Sequence, residues 1–119
     1  MAESRAGCPL EVLVAVQLAP EPGKGGVAPG PELAALVSAI EALPALRLRG
    51  LMCIPPPQDE AAAMRPFFRA LRLERDRLVE ACPGRSLPEL SMGMSDDFEE
   101  AIAEGATLIR VGTALFGPR

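Results

Sequence analysis

Apolar residues along this chain occur in two kinds of run: short blocks of adjacent apolar positions, and longer stretches in which they return every three or four residues. Val12 to Leu18 is the first block, rich in β-branched residues and closed by Ala19-Pro20-Glu21-Pro22-Gly23. Such a run fits a buried parallel strand better than a helix. From Pro31 to Leu43, Leu33, Leu36, Val37, Ile40 and Leu43 recur at helical spacing, with Pro31 suited to a first turn and Pro44 placed as a stop. Leu48 to Ile54 reads as a second strand, cut off by Pro55-Pro56-Pro57 because proline cannot donate into a ladder.

A second amphipathic helix is expected over Arg65 to Cys82, its buried stripe made of Met64, Phe67, Phe68, Leu71, Leu78, Val79 and Cys82, with Pro66 in the first turn. Leu90 to Met94 is the third strand. Asp96 then has Glu99 three residues on, a capping-box spacing for a short helix whose buried face is Phe98, Ala101 and Ile102. Gly105 supplies the helix stop, and Leu108 to Gly112 forms the fourth strand. The order β-α-β-α-β-α-β implies an α/β fold with parallel strands and right-handed crossovers. Four such strands make either a small open sheet or half of a (β/α)8 barrel, whose full length is about 250 residues.

Alternation along the fourth strand favours the half barrel. It sets Leu108, Arg110 and Gly112 on one face and Ile109 with Val111 on the other. An arginine facing inward needs a polar interior, which a barrel lumen with an anion at its C-terminal mouth provides.

Composition narrows the function classes. The 119 residues are 49% hydrophobic but only 3% aromatic, and the 13 prolines suit short connections within a single partial domain over 1–119. A net charge of −4, with arginines interspersed among acids, gives no basic stripe for nucleic acid. No apolar run approaches the roughly 20 residues of a membrane span, and the first residues lack a secretory core, so a cytoplasmic setting is expected. Cys8, Cys53 and Cys82 are too widely spaced for a disulfide framework or a zinc knuckle. With no histidine, His-based acid–base chemistry is excluded within the chain, and no metal site is expected.

Two strand ends carry the candidate chemistry. Ser95 follows a strand and precedes a helix, where its hydroxyl and the first-turn N–H groups can meet an anion. Gly112-Thr113 repeats the arrangement after the next strand, and in barrels the loops after the last two strands form the recurring phosphate cradle. Plainer readings stay open: Ser95 as a helix cap, Gly112-Thr113 as a turn, and Arg110 as one partner of a salt bridge. The single lysine, Lys24, lies in Pro22-Gly23-Lys24-Gly25-Gly26, which is no P-loop: the upstream glycine is missing, and Gly25 stands where Ser or Thr is required.

Taken together, Lys24-Gly25-Gly26, Leu48 through Pro55, Leu90-Ser91-Met92-Gly93-Met94-Ser95-Asp96-Asp97 and Ile109-Arg110-Val111-Gly112-Thr113 resemble the pyridoxal phosphate homeostasis protein family, whose barrel is shared with alanine racemase. The resemblance runs from Pro9 to the last residue and covers the C-terminal half of the family's barrel. It implies a barrel holding pyridoxal 5'-phosphate (PLP) at its C-terminal mouth. Ser95, Gly112 and Thr113 match the phosphate contacts, and Arg110 matches the arginine facing the pyridine nitrogen. An arginine there keeps the nitrogen unprotonated, which suits carrying or buffering PLP better than broad carbanion catalysis.

The departures are specific. The family's Schiff-base lysine lies on the first barrel strand, which has no counterpart here, so no catalytic residue is assigned; Lys24 matches a loop lysine instead. Ala15 and Gln17 stand where the family tends to have Gln and Asn. The expected role is PLP binding and homeostasis without established catalysis. PLP-dependent apo-enzymes, a separate N-terminal half and self-association are the candidate partners. A phosphate-binding barrel-derived enzyme acting on a phosphorylated metabolite and a non-binding half-barrel remnant are the competing readings.

Overall fold

The computed structural model describes residues 9–19, 26–56, 58–94 and 97–110. Along them run β1 (Leu10–Ala15), α1 (Pro31–Glu41), β2 (Leu46–Met52), α2 (Arg65–Ala81), β3 (Glu89–Met94), α3 (Phe98–Ala103) and β4 (Leu108–Arg110), with a 3-10 turn at Ala61–Met64 leading into α2. The strands form one parallel sheet in the order β1-β2-β3-β4. Four parallel strands joined by helices are the α/β pattern expected from the sequence.

Strands β1 and β2 each begin two residues before their apolar blocks, because Leu10 pairs with Leu46 and Glu11 with Arg47 across the ladder. Pairing, rather than apolarity, sets their starts. Past β1 the backbone is held on both sides: Val16 N–H donates to Met52 O at 2.8 Å and Gln17 N–H to Val27 O at 2.9 Å.

One core joins the helices to the sheet. Val14 and Val16, Leu48, Leu51 and Cys53, and Leu90 and Met92 meet Leu33 and Val37 of α1, Phe68, Leu71 and Leu78 of α2, and Ala101 of α3. Leu48 and Leu51 both point inward, although three residues apart, because the register skips Arg49 between Val12 and Leu13. An extra residue of this kind is a β-bulge, which re-aims the side chains after it. Gly50 beside it has no alternative: a Cβ there would lie 1.7 Å from the Glu89 carbonyl oxygen.

Among the described residues, the other face of the sheet carries no helix. Near its N-terminal end Glu11, Leu13, Arg49, Glu89 and Leu108 line a shallow cleft of about 300 Å³. Arg49 Nη2 lies 3.4 Å from Glu89 Oε2, and Thr107 Oγ1 donates to Glu89 Oε1 at 2.6 Å while accepting from Leu90 N–H at 2.8 Å. The Thr107 hydroxyl, and after it Arg49, hold the Glu89 carboxyl below its ordinary range.

Three expectations need correction. Leu43 follows the end of α1 and is 49% exposed rather than part of its stripe. Ile102 is 52% exposed: Ala101 faces the sheet, and the next residue turns about 100° away from it. The N-cap position of α3 is Asp97, not Asp96, which lies outside the described residues. The α2 stripe holds, with Met64, Phe68, Leu71 and Leu78 buried and Phe67, Val79 and Cys82 half-buried.

Candidate functional site

Parallel strands bring their C-terminal ends to one edge of the sheet, where side chains from several loops can converge. β3 ends at Met94 and β4 at Arg110, and these two residues are register partners. The two strands are therefore neighbours at Met94 and Arg110, the described residues that precede Ser95 and Gly112-Thr113 in the sequence. Ser95, Gly112, Thr113 and Lys24 lie outside the described residues, and Arg110 is described through its backbone alone.

Gly93 sets how closely α3 approaches this edge. Its φ is +104°, and a Cβ would meet Ala101 Cβ at 2.7 Å and Phe98 Cα and Ile109 Cγ2 at 3.3 Å. Glycine inside a strand is a signal of such an approach, and it was available in the sequence.

Asp97 is 8% exposed and closes the turn from β3 into α3. Its carboxylate makes no cap to the helix; Oδ1 accepts the Met94 N–H at 2.7 Å, while the Asp97 N–H donates to Met94 O at 3.2 Å. One negative charge of the Asp96-Asp97 pair is thus turned back onto the strand.

At the other end of α3, Glu104 is buried between two arginines of α2. Arg69 Nε and Nη2 donate to its two carboxylate oxygens at 3.3 and 3.0 Å, and Arg72 Nη1 stands 3.5 Å from Oε1. Arg65 Nε, at the start of α2, pairs with Glu100 of α3. The hydrogen bond from Arg69 is the largest cause holding the Glu104 carboxyl below its ordinary value, against the opposing effect of burial. Periodicity did not single out these residues, because charges on a helix read as a solvated face.

Two hollows open at the C-terminal edge. One, of about 430 Å³, is walled by Ile54, Pro55, Met64, Phe68, Gly93, Met94 and Asp97, with Gln58 and Asp59 at its polar side. A smaller one, of about 130 Å³, lies between the ends of β1 and β2 and includes Ala15, Gln17, Met52 and Cys53. Among the described residues, no cluster of His, Cys, Asp and Glu is arranged to hold a metal, and no helix is long and apolar enough to cross a membrane.

Residues 1–119 match the sequence model of the family described as alanine racemase, N-terminal domain. The chain belongs to that family. Members of similar sequence include the pyridoxal phosphate homeostasis proteins of Pseudomonas aeruginosa, 51% identical over 93% of this chain and 46% of the relative, and of Aquifex aeolicus, 48% identical over 92% and 47%. The resemblance read from the strand-end motifs is therefore borne out. Among solved structures, PipY of Synechococcus elongatus with PLP bound superposes with a TM-score of 0.83 at 39% identity, covering 98% of this chain and 52% of PipY. PipY without PLP gives 0.84 at 40% identity. This alanine racemase-like chain spans about half the length of the curated relatives it matches.

Proposed function

We propose that this chain binds pyridoxal 5'-phosphate at the paired ends of β3 and β4 and serves as a cytoplasmic carrier or buffer of that cofactor. The pairing of Met94 with Arg110 carries the reading, since β3 and β4 are neighbours at the residues that precede the two candidate segments in the sequence. The likeness to PipY with PLP bound supports the choice of ligand. In this reading Ser95, Gly112 and Thr113 hold the phosphate, and Arg110 meets the pyridine nitrogen. Bound PLP supplies a reactive aldehyde and an electron-withdrawing ring, and an arginine at the ring nitrogen tempers the second of these.

Two local features fit such a ligand. The Asp97 carboxylate is engaged by the Met94 N–H, which lessens its repulsion of a phosphate beside it. The 430 Å³ hollow next to Gly93 and Met94 lies within the range of about 300 to 1,000 Å³ common for small-molecule sites. In this reading the four βα units make up half of a barrel, a complementary half completes the site, and PLP-dependent apo-enzymes receive the cofactor.

The test is titration of isotope-labelled chain with PLP. Shifts of the Ser95 and Thr113 amide signals, with no stoichiometric borohydride-trapped adduct on Lys24, are the expected result. Unmoved signals at millimolar PLP would leave a non-binding remnant, and full labelling of Lys24 would overturn the assignment of that lysine to a loop role.

A further inference from the structure

All-parallel sheets occur almost exclusively with both faces covered. Here α1, α2 and α3 pack on one face through Leu33, Val37, Phe68 and Ala101, while the opposite face carries no helix among the described residues. That face presents Glu11 and Leu13 of β1, Arg49 of β2, Glu89 of β3 and Leu108 of β4 around the cleft of about 300 Å³. Glu11 and Leu108 are both exposed, Leu108 to 45%.

The sheet also ends in two lateral edges, β1 and β4. Leu10 N–H donates to Ala45 O and Val16 N–H to Met52 O, toward β2, so alternation turns the backbone polar groups of Glu11 and Leu13 outward. On β4, Thr107 N–H donates to Leu90 O at 2.9 Å, which turns those of Leu108 outward as well. Among the described residues, Val27 lies against the C-terminal end of the β1 edge, bonding Ala15 O and Gln17 N–H, in an isolated bridge that does not reach back to Leu13. Open edges of this kind are templates for another chain.

We propose that a second copy of this chain covers the helix-free face, two four-stranded sheets closing into one eight-stranded barrel. Eight strands enclose an interior that side chains can fill. A two-fold axis along the strands sets β1 of each copy beside β4 of the other, so one kind of join removes both edges. The charges suit that symmetry. Arg49 and Glu89 lie on neighbouring strands, 3.4 Å apart, so the signs alternate around the closed ring, and each guanidinium stands nearer a carboxylate of the other copy than its own counterpart. Leu13 and Leu108, on the two edge strands, supply apolar contact at the joins. The inference names the complementary half invoked above; it rests on the half-barrel part of that reading and not on its ligand.

Sedimentation equilibrium of the full chain across micromolar concentrations, without PLP, is the test, and failure of the ligand reading leaves its result unchanged. The expected mass is twice the 12.5 kDa of one chain, with the Glu11 and Leu13 amides protected from hydrogen exchange in the associated form. Leu108→Lys places a charge on the β4 edge and should weaken association about ten-fold or more. Glu11→Lys, at an exposed position on β1, does the same and keeps the test available if the first variant fails to fold. Leu73→Lys, at a 55% exposed position on α2, should leave the mass unchanged. A wild-type chain that stays single, or that associates only with a different polypeptide, would overturn the inference. So would assemblies larger than two chains, unprotected Glu11 and Leu13 amides in a dimer, or a dimer weakened by Leu73→Lys as much as by the two edge variants.

Discussion

Between β1 and β2 the ladder runs through six register pairs, and α1 lies against it through Leu33 and Val37, neither of which reaches solvent. Between β3 and β4 the described ladder has two register pairs, and α3 contributes one buried side chain, Ala101. Among the described residues, the second region is marked instead by polar contacts: Glu104 with Arg69 and Arg72, Glu100 with Arg65, Asp97 with the Met94 N–H, and Thr107 with Glu89. Apolar burial is non-directional and indifferent to pH, whereas hydrogen bonds between charged groups fix orientation and depend on protonation. Among the described residues, apolar burial therefore dominates around β1 and β2, and directional polar contacts dominate around α3.

The seam between the two regions is the place to break both at once. Gly50→Ala drives a methyl group into the Glu89 backbone, and a loss of more than about 4 kcal/mol, or failure to fold, is expected in urea denaturation. A stable Gly50→Ala chain would show that β2 and β3 are not packed as described. Leu33→Ala tests the scaffold alone: it should cost about 3 kcal/mol, equally at pH 5 and pH 8, because no titrating group is touched.

Acid separates the regions more selectively. Glu89 and Glu104 both have carboxyl pKa values lowered from the ordinary 4.5 in the folded chain. Their contribution to stability is thus complete above the unfolded-state value and is lost as pH falls below it through the folded-state values. Amide exchange around α3 and β4 should accelerate there before that of β1 and β2, and Glu104→Gln should remove part of the dependence. Simultaneous loosening of both regions would erase the contrast. The smallest effect belongs to Ile102→Gln, expected within about 0.5 kcal/mol of the parent, since that side chain faces solvent.

Element types and order were legible because the strand blocks and helical stripes differ in period, and Pro31 and Pro66 sit in first turns of helices as expected. The last helix was harder. With six residues it has too few turns for periodicity to define a face, so the pattern alone puts Ile102 inward and the cap one residue early. The adjacency of β3 and β4 follows from strand order, as the pairing of Met94 with Arg110 shows, while Ser95, Gly112 and Thr113 lie outside the described residues. The Arg69–Glu104 pair is not legible, because two residues 35 apart in sequence meet only through the way α2 and α3 lie on the sheet. Nothing local to either residue announces it.

The Arg49–Glu89 pair on the helix-free face sets terms for any cover over that surface. Both side chains retain only about a quarter of their exposure, 28% and 27%, so a lid pressed onto them would strip away most of their remaining hydration. Removing water from two ions is repaid only when well-placed polar groups replace it. A greasy cap is accordingly disfavoured over this spot, and a fitting cover would bring hydroxyls, amides or trapped solvent to the charged pair while reserving its apolar contacts for Leu13 and Leu108.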